Sequence, residues 1–143
     1  MPPLDFIAYG LLPWYPHMGP ADAAIWARYV AANPKAFEAV AYDVPVGAGA
    51  EFDVTAGGIL GPGIKKLYQR KIDVLGRTPS GLVLVEVKPR ATTAALGQLR
   101  GYKTLFERDY PAESIAGLLI VTDSLMPEME FLAQGEGVAL AVA

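Results

Sequence analysis

Apolar residues recur along this chain in two rhythms. A period close to that of an α-helix links Ile25, Trp26, Tyr29 and Val30, and again Leu96, Leu99, Tyr102, Leu105 and Phe106, predicting helices over residues 20–33 and 92–110. Pro20 suits a first helical position, Asp22 favours the first turn, and Asn33-Pro34 stops the first helix. Elsewhere the rhythm is that of strands. Residues 37–46 (FEAVAYDVPV) are β-branched and aromatic, and residues 68–76 (YQRKIDVLG) and 82–88 (LVLVEVK) flank the turn residues Arg77 to Gly81, so a hairpin is expected. Residues 115–122 (IAGLLIVT) form the continuous apolar run of a strand covered on both faces, as in the parallel part of a sheet. A short helix at 127–134 and a last strand at 138–142 follow. Helix, strand, long loop, hairpin, helix, strand, helix, strand specifies an α/β sandwich on a mixed sheet.

Two segments fall outside these rhythms. Residues 1–19 hold four prolines and several aromatics and read as an irregular arm packed on the domain, with no regular element of its own. Residues 47–63 are glycine-rich and open a loop running to residue 67, directly before the strand that carries Asp73; loops of that length are functional or mobile. At 143 residues, 52% hydrophobic and 19% charged, the chain is expected to form one well-buried domain and not a disordered tail.

The absence of cysteine excludes disulfides, thiolate zinc sites and a thiol nucleophile. The N-terminus has no basic region ahead of an apolar stretch, so neither a leader nor a spanning segment is expected, and the location expected is cytoplasmic, or virion-associated for a phage protein. A net charge of −3 gives no global attraction to nucleic acid. Local cations do cluster: Lys65, Lys66, Arg70 and Lys71 before the hairpin, and Lys88, Arg90, Arg100 and Lys103 within and after it, as a binding rim or a solvated surface. No glycine-rich phosphate loop follows any strand.

Chemistry concentrates at the hairpin. Alternation sends Val83, Val85 and Val87 to one face of residues 82–88 and Leu84, Glu86 and Lys88 to the other, so a carboxylate and an ammonium end a buried face. Burying such charges costs several kcal/mol each unless they are paired or bind metal. Asp73, between Ile72 and Val74, is a second acid in an apolar setting, and hairpin pairing brings it towards Glu86. Two carboxylates and a lysine at a sheet end suit phosphodiester hydrolysis, because hard oxygen donors select Mg²⁺ or Mn²⁺, the metal acidifies a bound water, and the lysine orients it or stabilises developing charge. The same three residues also suit a buried ion pair that only holds the hairpin.

The segment KIDVLGRTPSGLVLVEVKPRATTAALGQLRGY resembles the core of the PD-(D/E)xK nuclease superfamily. An acid in one strand (Asp73) is followed by E-x-K in the next (Glu86-Val87-Lys88) and by Q-x-x-x-Y on a helix (Gln98 to Tyr102), similar to the RecB-like branch. The resemblance implies a restriction-endonuclease-like αβββαβ core with a mixed central sheet flanked by helices. It implies a catalytic set of Asp73, Glu86, Lys88, Gln98 and Tyr102, and Mg²⁺ or Mn²⁺ held by Asp73, Glu86 and Val87. Nucleic acid, DNA in the first place, is the implied substrate, in repair, recombination or phage biology. The chain departs from the pattern in two places: Ile72 stands where proline usually precedes the first acid, and the first helix offers only Asp22, with no clear match to the acid many members carry there. His17 reads as structural, Trp26 and Tyr29 as core, Met126 and Met129 as packing for the short helix, and Asp43 as a solvent-facing residue of an edge strand. The competing reading is an inactive nuclease-like fold that binds other proteins, such as a small phage virion or assembly protein; a third is the nuclease subunit of a larger complex.

Overall fold

The computed structural model describes residues 3–47 and 70–143. Six strands form one sheet in sequence order: β1 (Ile7–Ala8), β2 (Ala39–Val46), β3 (Arg70–Thr78), β4 (Gly81–Ala91), β5 (Ile115–Leu125) and β6 (Val138–Val142). Three helices, α1 (Pro20–Ala32), α2 (Thr93–Asp109) and α3 (Met129–Gly135), complete the described elements. β1 to β4 are antiparallel neighbours, while β4, β5 and β6 run parallel because α2 and α3 carry the chain back between them. The mixed sheet and the flanking helices are as the sequence pattern predicts, and β5 is buried from Leu118 to Thr122 as expected of a parallel strand covered on both faces.

Two cores lie on opposite faces. Ile25, Trp26, Tyr29 and Val30 of α1 cover Val40, Val74, Val85, Val87 and Val121. On the other face Leu96, Leu99, Tyr102 and Phe106 of α2, with Met129 and Ala133 of α3, cover Leu75, Leu82, Leu84 and Ile120. β4 therefore alternates as its sequence requires, Leu82 and Leu84 towards α2, Val85 and Val87 towards α1.

The hairpin closes more tightly than a five-residue turn. Thr78 pairs with Gly81, leaving Pro79-Ser80 as the loop; the Thr78 hydroxyl donates to the Gly81 carbonyl (2.8 Å) and accepts from the Ser80 N–H (3.2 Å). Gly81 has φ +136°, a conformation open to glycine, and the Ser114 carbonyl lies 2.7 Å from where a Cβ would sit.

Three expectations are corrected. The arm is not wholly irregular: Ile7 and Ala8 add an edge strand to β2, because a short apolar stretch can still satisfy backbone groups on a free sheet edge. Consequently β2 is not an edge strand. Nor does Asp43 face solvent, since its carboxylate lies 3.2 Å from both Lys71 Nζ and His17 Nε2 and has little exposure. The glycine-rich loop falls almost wholly in residues 48–69, outside the described residues.

β3 crosses closely under one ring. Phe37 lies over Gly76, so a Cβ there would meet the ring at 2.3 Å. Gly76→Ala is expected to cost about 1–3 kcal/mol by overpacking, and to cost less in a Phe37→Ala background, where the space is free. Thermal denaturation of the two single variants and the double variant measures the coupling; equal costs in both backgrounds would show that the ring contact is not the constraint.

Candidate active site at the fork between β3 and β4

The last antiparallel pair between β3 and β4 is Val74 with Val85. Beyond it β4 stays paired with β5 as far as Ala91, whereas β3 stays paired with β2. The strands part where Asp73 would face Glu86. Across the sheet from Asp73, Asp43 has φ +53° and interrupts the β2–β3 ladder without changing its register. Irregular backbone beside a charged cluster is a common way to re-aim side chains.

Asp73 fills the fork. Its Oδ2 accepts the Val87 N–H at 2.9 Å, in place of a ladder partner, and the Glu86 carboxyl donates a hydrogen bond to it. Glu86 is 7% exposed, and its Oε2 is buried without a hydrogen-bond partner. Burial first, then the negative Asp73 beside it, push the Glu86 carboxyl up to about 8; the Lys88 ammonium opposes this and does not overcome it. Burial likewise raises Asp73, against the Val87 N–H and the Glu86 hydrogen bond, which lower it. Lys88 Nζ is 3.9 Å from Glu86 Oε1, beyond hydrogen-bond length, and 31% exposed. An ion pair built to hold the hairpin would be shorter and would keep its carboxylate ionised.

The remaining predicted residues lie on α2. Gln98 and Tyr102 are four apart on one helical face, and Gln98 Nε2 donates to the Tyr102 hydroxyl at 2.6 Å. Tyr102 is raised mainly by burial, and further by Glu86 and Asp73, which places its hydroxyl within their electrostatic reach; Arg70 acts in the opposite sense. Both side chains also line an open groove of about 680 Å³ along α2, with Arg70 at its edge. Val87 contributes its N–H to Asp73, while its side chain is buried on the α1 face.

Asp22 is the residue that sequence reasoning passed over. It sits in the first turn of α1, its carboxyl raised by burial and lowered by Lys88, and its charge acts on both Asp73 and Glu86. The signal was an acid near a helix start, which the favourable macrodipole explains equally well from sequence. His17 stands apart from the carboxylate pair, held by Asp43. Among the described residues no three His, Cys, Asp or Glu side chains gather as a ready metal cage. The donor set nevertheless fits a hard divalent cation: two buried carboxyl groups act on one another, and one buried oxygen lacks a partner.

Residues 65–142, more than half of the chain, match the sequence profile of the endonuclease NucS C-terminal domain. No curated protein sequence matches. A solved structure described as an EndoMS-dsDNA2 complex is similar at 20% identity and a TM-score of 0.48; the match covers 96% of this chain and 48% of that one, so this chain spans about half its length.

The carboxyl pair carries a pH signature. Because Glu86 is raised from 4.5 to about 8 and Asp73 is raised as well, the fold holds a proton that the unfolded chain releases in the ordinary carboxylate range. The associated stability is complete below about pH 4.5 and lost as pH rises through about 8. In chelator, Tm is expected to fall between these limits, and Glu86→Gln, which carries no charge to bury, to flatten the fall. A wild-type Tm that rises over this range, or a variant that falls as steeply, would contradict the shared proton.

Proposed function

The chain belongs to the family of the endonuclease NucS C-terminal domain, and from that membership and the geometry at the fork we propose that it hydrolyses phosphodiester bonds of nucleic acid, DNA in the first place, with a divalent metal ion. The observation that carries this reading is the Glu86 Oε2 atom, buried without a hydrogen-bond partner in a carboxyl group that Asp73 acts on. A polar atom left in that state costs on the order of 1–3 kcal/mol, and such a cost is ordinarily retained at sites where a ligand removes it.

Asp73 and Glu86, with the main chain at Val87, would hold Mg²⁺ or Mn²⁺. Bound there, the metal would supply Lewis acidity towards the phosphate and an acidified water. Lys88, partly exposed at the strand end, is placed to orient the attacking water or to meet charge developing on the phosphate. Gln98 and Tyr102 fix one another and face the groove along α2, where they contact the nucleic-acid backbone in the manner of the RecB-like branch. Asp22 adds negative charge that acts on Lys88 and on both carboxyls. A role in repair, recombination or a phage cycle rests on the resemblance described above.

Cleavage of labelled single- and double-stranded DNA and RNA, with Mg²⁺, Mn²⁺ or chelator, tests the reading. Lys88→Ala is expected to lower kcat by about 100- to 1,000-fold with little change in Tm, because the ammonium is partly exposed and 3.9 Å from its neighbour. Titrating Mg²⁺ at pH 7 by calorimetry in buffers of different ionisation enthalpy should show proton release, since the cation displaces the proton on Glu86. Protein that releases no proton and cuts none of the substrates is an inactive fold of this family.

A further inference from the structure

The arm that precedes α1 lies outside the segment matching the family, residues 65–142; its first half pairs with β2 at Ala39 and Val40, and its second half, from Tyr15 to His17, reaches Tyr42 and Asp43. Its Tyr15 is buried, and the ring packs against Tyr42 with centroids 5.7 Å apart. Tyr15 also accepts the Leu12 N–H on its hydroxyl (3.2 Å) and the Met18 N–H on its carbonyl (3.2 Å). His17 then reaches Asp43, which stands opposite Asp73, and the chain enters α1 at Pro20, two residues before Asp22. Between these anchors stands Trp14, flanked by Pro13 and Pro16 and 68% exposed. The chain's other tryptophan, Trp26, is fully buried.

An exposed indole forgoes roughly 1.5–3 kcal/mol of burial that a large apolar side chain can supply. Here the backbone around it is fixed by two prolines and a buried tyrosine, so little entropy remains to be lost when a ligand stacks on it. Trp14 is three residues from His17, which bounds their separation at about 11 Å. Cations on the ends of β3 and β4 at this side of the sheet, Arg70, Lys71, Lys88 and Arg90, suit a phosphate backbone. Leu11, three positions before Trp14, is also exposed.

We propose that Trp14 is a stacking platform for an unpaired nucleobase of the nucleic acid held at the Asp73–Glu86 site. The proposal rests on the nuclease reading for its ligand. Stacking on an aromatic side chain tolerates any base and does not require a hydrogen-bond pattern, so the platform favours single-stranded or frayed substrate over an intact duplex.

Intrinsic fluorescence tests this directly, because Trp26 is shielded and Trp14 is the indole within reach of a ligand. With chelator present to prevent cutting, a short oligo-dT is expected to quench the emission of the wild type, and an intact hairpin duplex to quench it far less. Trp14→Ala should weaken oligo-dT binding and raise KM by about tenfold or more, with kcat and Tm nearly unchanged, and Trp14→Phe should recover part of the loss. Unquenched emission together with unchanged KM in Trp14→Ala would overturn the proposal while leaving a cutting enzyme intact. So would a Trp14→Ala effect confined to self-association in sedimentation, which would make this surface a contact between copies. Quenching by oligo-dT in a protein that cuts nothing would instead remove the nuclease reading and keep the stacking contact.

Discussion

Two carboxyl groups pressed together at the point where two strands separate set the terms for the rest of the site. Asp73 and Glu86 act on one another in a setting from which water is largely excluded, and burial raises both carboxyls above the ordinary carboxylate range. A neighbouring lysine at 3.9 Å does not relieve them. A proton or a cation between the two acids would relieve their repulsion. The cost of the pair to the fold is met by two cores that continue on both sides of β4.

The fork itself follows from an asymmetry of pairing. β4 has two partners as far as Val85 and one beyond it, because β3 follows β2 while β4 stays with β5. A separating hairpin leaves backbone groups short of partners. The Asp73 carboxylate takes the Val87 N–H and so anchors the acid by the very defect that exposes it. α2 begins two residues after β4 ends, and Tyr102 is buried on it together with Leu96, Leu99 and Phe106.

Much of this was legible in the residues themselves. The alternation of LVLVEVK set the faces of β4, the spacing of Gln98 and Tyr102 set their shared face, and the apolar run at Ile115 identified a parallel strand. What could not be read was long-range or depended on context. The β1 pairing comes from two residues whose strand character depends on an available edge. Asp43 looked like an exposed edge residue because β1, which turns β2 into an interior strand, was itself invisible. Asp22 looked like ordinary first-turn chemistry, since nothing local reveals that its charge acts on Lys88. The proton on Glu86 has no sequence signal at all, because it arises from the separation of the carboxyls and their depth.

The acidic balance of the chain, −3 overall, counts less against a polyanionic ligand than it first suggests. Attraction depends on where charge sits at the distance of the ligand, and salt screens it beyond about 8–10 Å. The shared proton already withholds a full charge from the Asp73–Glu86 pair, and a divalent cation would cancel more. Arg70, Lys71, Lys88 and Arg90 stand on the strand ends around that pair, while acids such as Glu107, Glu136 and Asp109 lie further along α2 or beyond it, each with a basic side chain beside it. The field a phosphate backbone would meet at the fork is therefore set by the local cations and by the occupant of the carboxyl pair, and not by the sum over the chain.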